Sequence, residues 1–403
     1  MELRPILSAM LRNKTGAILV GLQIALTLAV VANAVFIIMQ RVEKIGRPSG
    51  IDSDNLIFVQ SFGYGPTYNH RETVRRDLDL IRAMPGVVAA ASISGIPLSQ
   101  GGSAQPFRPS PDVDINSGID GNYYELDEHG VAALGVKLAA GRPFNEAEIQ
   151  YTENITNSQF VPSVIITRTM ARELFGEGSA LGKRVYDTLG QSAVVVGVIE
   201  HMLGAWVDWD DLENVMFTPR IATGPIGRYA VRAEPGRRDA LIAEIERKLA
   251  GADLSRAITF VRPHSYYMER SYRSDSRMVA FLSVIVVLMI SVTALGIVGL
   301  ASFQVNVRTK QIGTRRAVGA RKIDILRYFM IENWLLTTGG VVIGAVLAFA
   351  FGQWLSSEYS LPRLEPMYVA SGVVLLWILG QLAVFVPARR AAAIPPAIAT
   401  RTV

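Results

Sequence analysis

Hydrophobic residues along this chain fall in four long blocks, with shorter periodic patterns between them. Residues 15–40, 278–307, 333–357 and 366–388 contain no Asp, Glu, Lys or Arg. Each block is long enough for the about 20 apolar residues that a helix needs to cross a bilayer core. A helix also satisfies its own backbone amides and carbonyls in lipid. The pattern therefore predicts four transmembrane helices. The first block follows Arg12 and Lys14. It exceeds the about 7–15 apolar residues of a signal peptide and is read as an uncleaved anchor. Ahead of it, Leu3, Ile6, Leu7, Met10 and Leu11 form one helical stripe, which predicts an interfacial amphipathic helix over residues 1–14. Gln23 and Asn33 in the first span should face another helix, and Gly339, Gly340 and Gly344 should let the third pack closely.

Residues 41–277, between the first two blocks, change period. Strand patterns at 55–59 and 87–93 flank a helical stretch at 69–84, and strands at 228–232 and 257–261 flank a helix at 237–249. Two β-α-β units at the ends of one segment predict a split α/β subdomain over 41–111 and 228–264. Residues 112–227 form an insertion with its own short strands, among them the apolar run 194–199, and 265–277 reads as a stalk. The expected fold class is an α-helical membrane protein with four transmembrane helices and an α+β extracytoplasmic domain inserted between the first and second.

Charge gives the orientation. The net charge of +5 hides an asymmetry. Residues 1–14, 308–332 and 389–403 together hold 13 basic and 3 acidic residues, whereas 41–277 holds 26 basic and 30 acidic ones. By the positive-inside rule both termini and the 308–332 segment are cytoplasmic and the large segment is periplasmic, in an inner membrane. The basic excess then reflects topology and gives no case for nucleic acid binding. The chain has no cysteine, which excludes disulfides and thiolate chemistry.

Catalytic chemistry finds little support. The stretch from Gly176 to Arg184 resembles a P-loop only loosely, with the wrong glycine spacing and Arg184 where a magnesium-binding hydroxyl belongs. His70, His129, His201 and His264 are scattered, with no metal-ligand spacing. No ionisable residue lies deep in a span, which argues against an ion relay. The expectation is no catalytic residue, no metal and no cofactor in this chain. Trp206, Asp208, Trp209, Asp210 and Asp211 stand out as an acidic and aromatic contact patch, weighed against a solvated loop with tucked-in tryptophans.

The most informative stretch is the basic one at 308–322, where Gly313 and Gly319 interrupt apolar and cationic residues. It resembles the segment after the second span in MacB/FtsX-type permeases of ABC transporters, commonly R-x-x-E-I-G-x-x-x-A-x-G-A. Leu174, Phe175 and Gly176 with Leu181, Gly182, Lys183 and Arg184 are similar to that family's external core domain, as are the Gly141–Phe144 turn and Val196–Val198. Pro387 to Ala392 resembles its tail. The resemblance implies a dimer of four-span subunits, with a second permease chain of the same or a paralogous kind. It also implies porter-like (41–111, 228–264) and Sabre-like (112–227) external parts. A separate cytoplasmic ABC ATPase would carry ATP and Mg. In many members a periplasmic adaptor and an outer-membrane duct complete an efflux pump for peptides, antibiotics or other amphipathic substrates. The alternatives are signal transmission to an envelope enzyme, peptide sensing, or lipoprotein extraction. Docking on the ATPase is expected from Arg308, Lys310, Gln311, Ile312, Gly313, Arg315, Arg316, Ala317, Val318, Gly319 and Ala320. Ile312, Ala317 and Val318 would give apolar contact, and Arg315 and Arg316 would meet acidic surface or lipid phosphate. Gln311 departs from the usual glutamate, which suggests pairing with a different permease that keeps the acid.

Overall fold

The computed structural model describes residues 14–65, 68–152, 161–359 and 362–395. The amphipathic helix expected over 1–14 and the end of the tail lie outside the described residues. The chain divides into two compact units, one of residues Arg47–Arg273 and one built from the segments on either side.

Among the described residues, the flanking unit holds four helices long and apolar enough to cross a membrane: α1 (Lys14–Ile45), α7 (Arg273–Val307), α9 (Lys322–Tyr359) and α10 (Pro366–Ala392). Small residues bring α1 and α9 together. A Cβ on Gly340 would lie 2.9 Å from the Gly21 carbonyl oxygen, and one on Gly344 would lie 2.8 Å from that of Ala25. Gly339 faces open space. Asn33 Nδ2 donates to the Ala29 and Ala348 carbonyls at 2.9 and 3.0 Å, and Thr27 and Thr293 share a hydroxyl hydrogen bond of 2.7 Å between α1 and α7. These are the contacts that hold helices together where lipid supplies no hydrophobic drive. At the far end of α1, Arg41 and Lys44 meet the buried Asp275 of α7 at 2.6 and 2.9 Å.

In the other unit, β1 (Leu56–Gly63), α2 (His70–Arg82), β2 (Val87–Ser92), β12 (Ile226–Ala233), α5 (Arg238–Ala252) and β13 (Arg256–Pro263) make a four-stranded antiparallel sheet, order β13-β1-β12-β2. This is the split β-α-β arrangement, in which the strand of one unit lies between those of the other. Strand alternation places Ile57, Val59, Tyr229 and Val231 on the face covered by Val74, Leu78 and Ile81 of α2 and Leu241, Ile245 and Leu249 of α5. Leu56, Phe58 and Ala230 on the opposite face join Tyr124, Leu126, Ile165 and Phe217 of the insertion in one core.

The insertion contributes β3 (Ser103–Phe107), β4 (Ile119–Glu125), β5 (Leu138–Gly141), β7 (Ser163–Thr167), β8 (Arg184–Tyr186), β9 (Ser192–Ile199) and β10 (Val215–Thr218) to a seven-stranded sheet. Helices α3 (Gly130–Leu134) and α4 (Arg168–Phe175) belong to it, as does a strand pair, β6 (Gln150–Thr152) with β11 (Arg220–Ala222). Two expectations need correction. Residues 103–107, assigned by pattern to the first part, pair with β4 and so belong to the second sheet. Their Ser-Ala-Gln-Pro-Phe sequence carries no strand signal and only the pairing reveals them. The stalk over 265–277 is not one helix either: α6 (His264–Ser271) ends before Tyr272, and α7 starts afresh at Arg273.

Candidate coupling site

The segment after α7 folds as a short helix, α8 (Thr309–Ala317), followed by an elbow into α9. Gly319 has φ +103°, a left-handed conformation that a side chain disfavours, and this turns the chain. The Gly319 and Ala320 amides donate to the Arg316 and Arg315 carbonyls at 3.2 and 3.0 Å. Asp324 then caps α9 by accepting from the Arg321 amide at 2.9 Å. Within the 308–332 segment, α9 begins at Lys322 and buries Ile325 and Phe329 in its first turns.

The predicted residues divide into two sets. Ile312 and Gly313 point inward, and Ile312 packs with Val305, Ile325, Phe329, Ala388 and Ala391. Ile312, expected as an outward apolar contact, is thus part of the chain's own core. Arg308 donates to Glu332 Oε2 at 2.9 Å and to the Tyr328 hydroxyl at 3.2 Å. Arg316 donates to the carbonyls of Ala392 and Ile394 at 3.1 and 2.8 Å, closing the last turn of α10. Arg308 and Arg316, expected to face a partner, hold α8 against α9 and α10 instead. The other set is open. Val318 is 84% exposed, and Lys310, Gln311, Arg315 and Ala317 are exposed with it. The Arg315 guanidinium sits 5.2 Å from the Tyr328 ring, over a groove of about 450 Å³ formed by Thr314, Arg315, Val318, Ala320, Asp324, Ile325 and Tyr328.

Sequence reasoning missed Asp324, Tyr328 and Glu332. Glu332, just before the charge-free block 333–357, is 3% exposed inside α9. A lone acid just before a charge-free block, 24 residues after Arg308, was the available signal.

In the external unit, Trp206 and Trp209 pack edge to face with ring centroids 5.5 Å apart, half-buried, while Asp208 and Asp210 are exposed. Partial burial, reinforced by Asp120, Glu173 and Asp210, raises the Asp211 pKa. The loop is pinned by Arg47 donating to the Val207 carbonyl at 3.0 Å. The tryptophans are therefore tucked together, with the carboxylates outermost. The scattered histidines are not brought together: His201 lies against the Pro48 carbonyl, and His264 is buried with Nε2–H donating to the Pro97 carbonyl at 2.9 Å. Asp127, Glu128 and His129 cluster within reach of one cation, yet both Asp127 oxygens already accept hydrogen bonds, from Ser92, Arg82 and His129.

The family model of the MacB-like periplasmic core domain matches residues 23–248, more than half of the chain, and that of the FtsX-like permease C-terminal region matches 283–396. The chain belongs to the MacB/FtsX-type permease family. Among relatives of this permease, the macrolide export ATP-binding/permease protein MacB of Chromobacterium violaceum is 26% identical over 331 residues, covering 78% of this chain and 48% of the relative. The protein of the same name from Acinetobacter baylyi is 22% identical, covering 87% and 52%. The permease thus spans about half the length of the curated relatives it matches. The periplasmic region of MacB from Actinobacillus actinomycetemcomitans is similar at 15% identity with a TM-score of 0.34, covering 57% of this chain and 97% of that one.

Proposed function

We propose that the chain is the membrane-embedded, non-catalytic part of an ABC-type exporter, and that the α8–α9 elbow receives the push of a cytoplasmic ATPase and passes it to the external unit. The observation that carries this reading is the division within α8. Arg308, Ile312 and Arg316 bind the helix to α9 and α10, while Val318 and Arg315 line an open groove and Lys310 is exposed on α8. An element fixed on one face and bare on the other can transmit force without being deformed. The ATPase, with its ATP and Mg, fits the groove as a surface with an apolar knob and a carboxylate for Arg315.

The charge pattern supports both termini on the cytoplasmic side of an inner membrane. The names of the relatives support efflux, and the natural occupant for the exposed face of α7, with Phe281, Val287, Val292 and Leu295 bare, is a second permease subunit. Gln311, exposed on α8, marks the position where a paralogous partner would supply the family's acid. The test is a reconstituted vesicle assay with the cognate ATPase. Val318→Asp and Arg315→Glu should abolish permease-stimulated ATP hydrolysis while the four spans stay folded. Unchanged stimulation in both would sink the docking assignment. Because the chain has no cysteine, single-cysteine labelling at Val318 reads its side of the membrane directly.

A further inference from the structure

A cavity of about 240 Å³ in the external unit lies where β2 and β12 of the first sheet meet β4 and β11 of the insertion. Its charges do not cancel. Glu125, 5% exposed, is already claimed by Arg220 at 3.5 Å. His70 shares a hydrogen bond of 3.2 Å with the Tyr68 hydroxyl, and burial lowers its pKa, so it is neutral at pH 7. That leaves Arg228 of β12. Its Nε and Nη2 donate to Gln60 Oε1 at 3.2 and 2.8 Å, and Nη1 donates to the Ser94 carbonyl. Both acceptors are neutral, and among the described residues no carboxylate pairs with Arg228. A guanidinium has five N–H donors in a planar fork that matches a carboxylate. A half-buried guanidinium facing a cavity without a counter-charge is a built anion site. Ile221 and Ile226 line the same space, and Ile226, 49% exposed, stands at its mouth.

We propose that this cavity binds a small carboxylate ligand bearing an apolar group, its carboxylate on Arg228 and its apolar part against Ile221 and Ile226. The volume lies below the roughly 300–1,000 Å³ of drug-sized sites, so the ligand is small. Charge-assisted bidentate hydrogen bonds give the carboxylate preference, and the isoleucines give preference over bare acetate.

Isothermal titration of the full chain in detergent tests this with N-acetylleucine as probe and N-acetylleucinamide, which has no carboxylate, as its neutral match. Saturable binding of the acid, with the amide at least about tenfold weaker, is expected. Arg228→Gln should remove binding of the acid. Since Arg228 also holds Gln60 and Ser94, Ile226→Trp provides a second variant, filling the mouth while leaving the guanidinium in place. It too should abolish binding. No saturable binding of the acid, equal binding of acid and amide, or full binding by a folded Ile226→Trp protein would each overturn the proposal.

Discussion

Arg256 and Arg308 each neutralise a buried carboxylate, but in different surroundings. Arg256, in the external unit, reaches Asp77 of α2, which also accepts from the Tyr229 hydroxyl of β12 at 2.8 Å. Both side chains of that ion pair are sealed from solvent. Arg308, at the start of α8, meets Glu332 of α9 with 14% of its own side chain still exposed. The first pair joins elements from both ends of the external segment and can be solvated only if the sheet opens. The second joins neighbours in sequence at the edge of the helical unit, where water can reach the cation. One is suited to hold a core rigid, the other to fix α8 against α9.

The largest effect should come from the sealed pair. Asp77→Ala leaves Arg256 charged and buried, and should lower the unfolding free energy of the full chain in detergent by about 3–5 kcal/mol. Replacing both, Asp77→Leu with Arg256→Met, should recover most of that loss. A cost below about 1 kcal/mol for Asp77→Ala would show that the site is not sealed.

Next comes the contrast within α8. Ile312→Asp places a charge in the packed core around Phe329 and Ala388 and should cost about 3 kcal/mol or more. Val318→Asp, on the exposed side, should change stability by no more than about 0.5 kcal/mol while abolishing the proposed coupling. Equal stabilities for the two variants would erase the distinction between the fixed and bare faces. Arg308→Gln should cost about 1.5–3 kcal/mol, less than Asp77→Ala, because water can partly replace the lost guanidinium.

The smallest effect is in pH dependence, where two groups of the external unit oppose each other. Burial lowers the His264 pKa from 6.5 to about 4. The unfolded chain takes up this proton first, so the stabilisation is complete above pH 6.5 and is lost as pH falls toward 4. Burial raises the Asp127 pKa from 3.8 to about 6, against the lowering effect of the Ser92 amide and Arg82. Here the native state keeps the proton longer, so stability is greatest below pH 3.8 and declines as pH rises through 6. In the wild type the two slopes largely cancel. His264→Gln should leave stability falling between pH 4 and 6, and Asp127→Asn should leave it rising. Parallel slopes in the two variants, followed by denaturant titration at each pH, would contradict these assignments.

The four spans, the strands and helices of the split α/β unit and the existence of a basic elbow were legible in the sequence. Each follows from a local rule: a charge-free run long enough for lipid, a period of two or 3.6, or a glycine between cations. Those rules involve neighbours within a few residues, and they remain visible whatever the rest of the chain does. Tertiary structure decided which side chains of α8 and its C-terminal elbow are buried. Ile312 and Val318 are both apolar and six residues apart, yet one is buried by Phe329 and Ala388 and the other is bare. It decided that Ser103–Phe107 joins the second sheet, since pairing with β4 substitutes for a strand propensity that the segment lacks. It also decided that Arg228 faces a cavity with only neutral partners while Arg220, eight residues earlier, is matched by Glu125. Charge counts along a sequence say how many cations there are. Which of them lacks a counter-charge depends on distances between segments far apart in the chain, and those distances exist only once the sheets have closed.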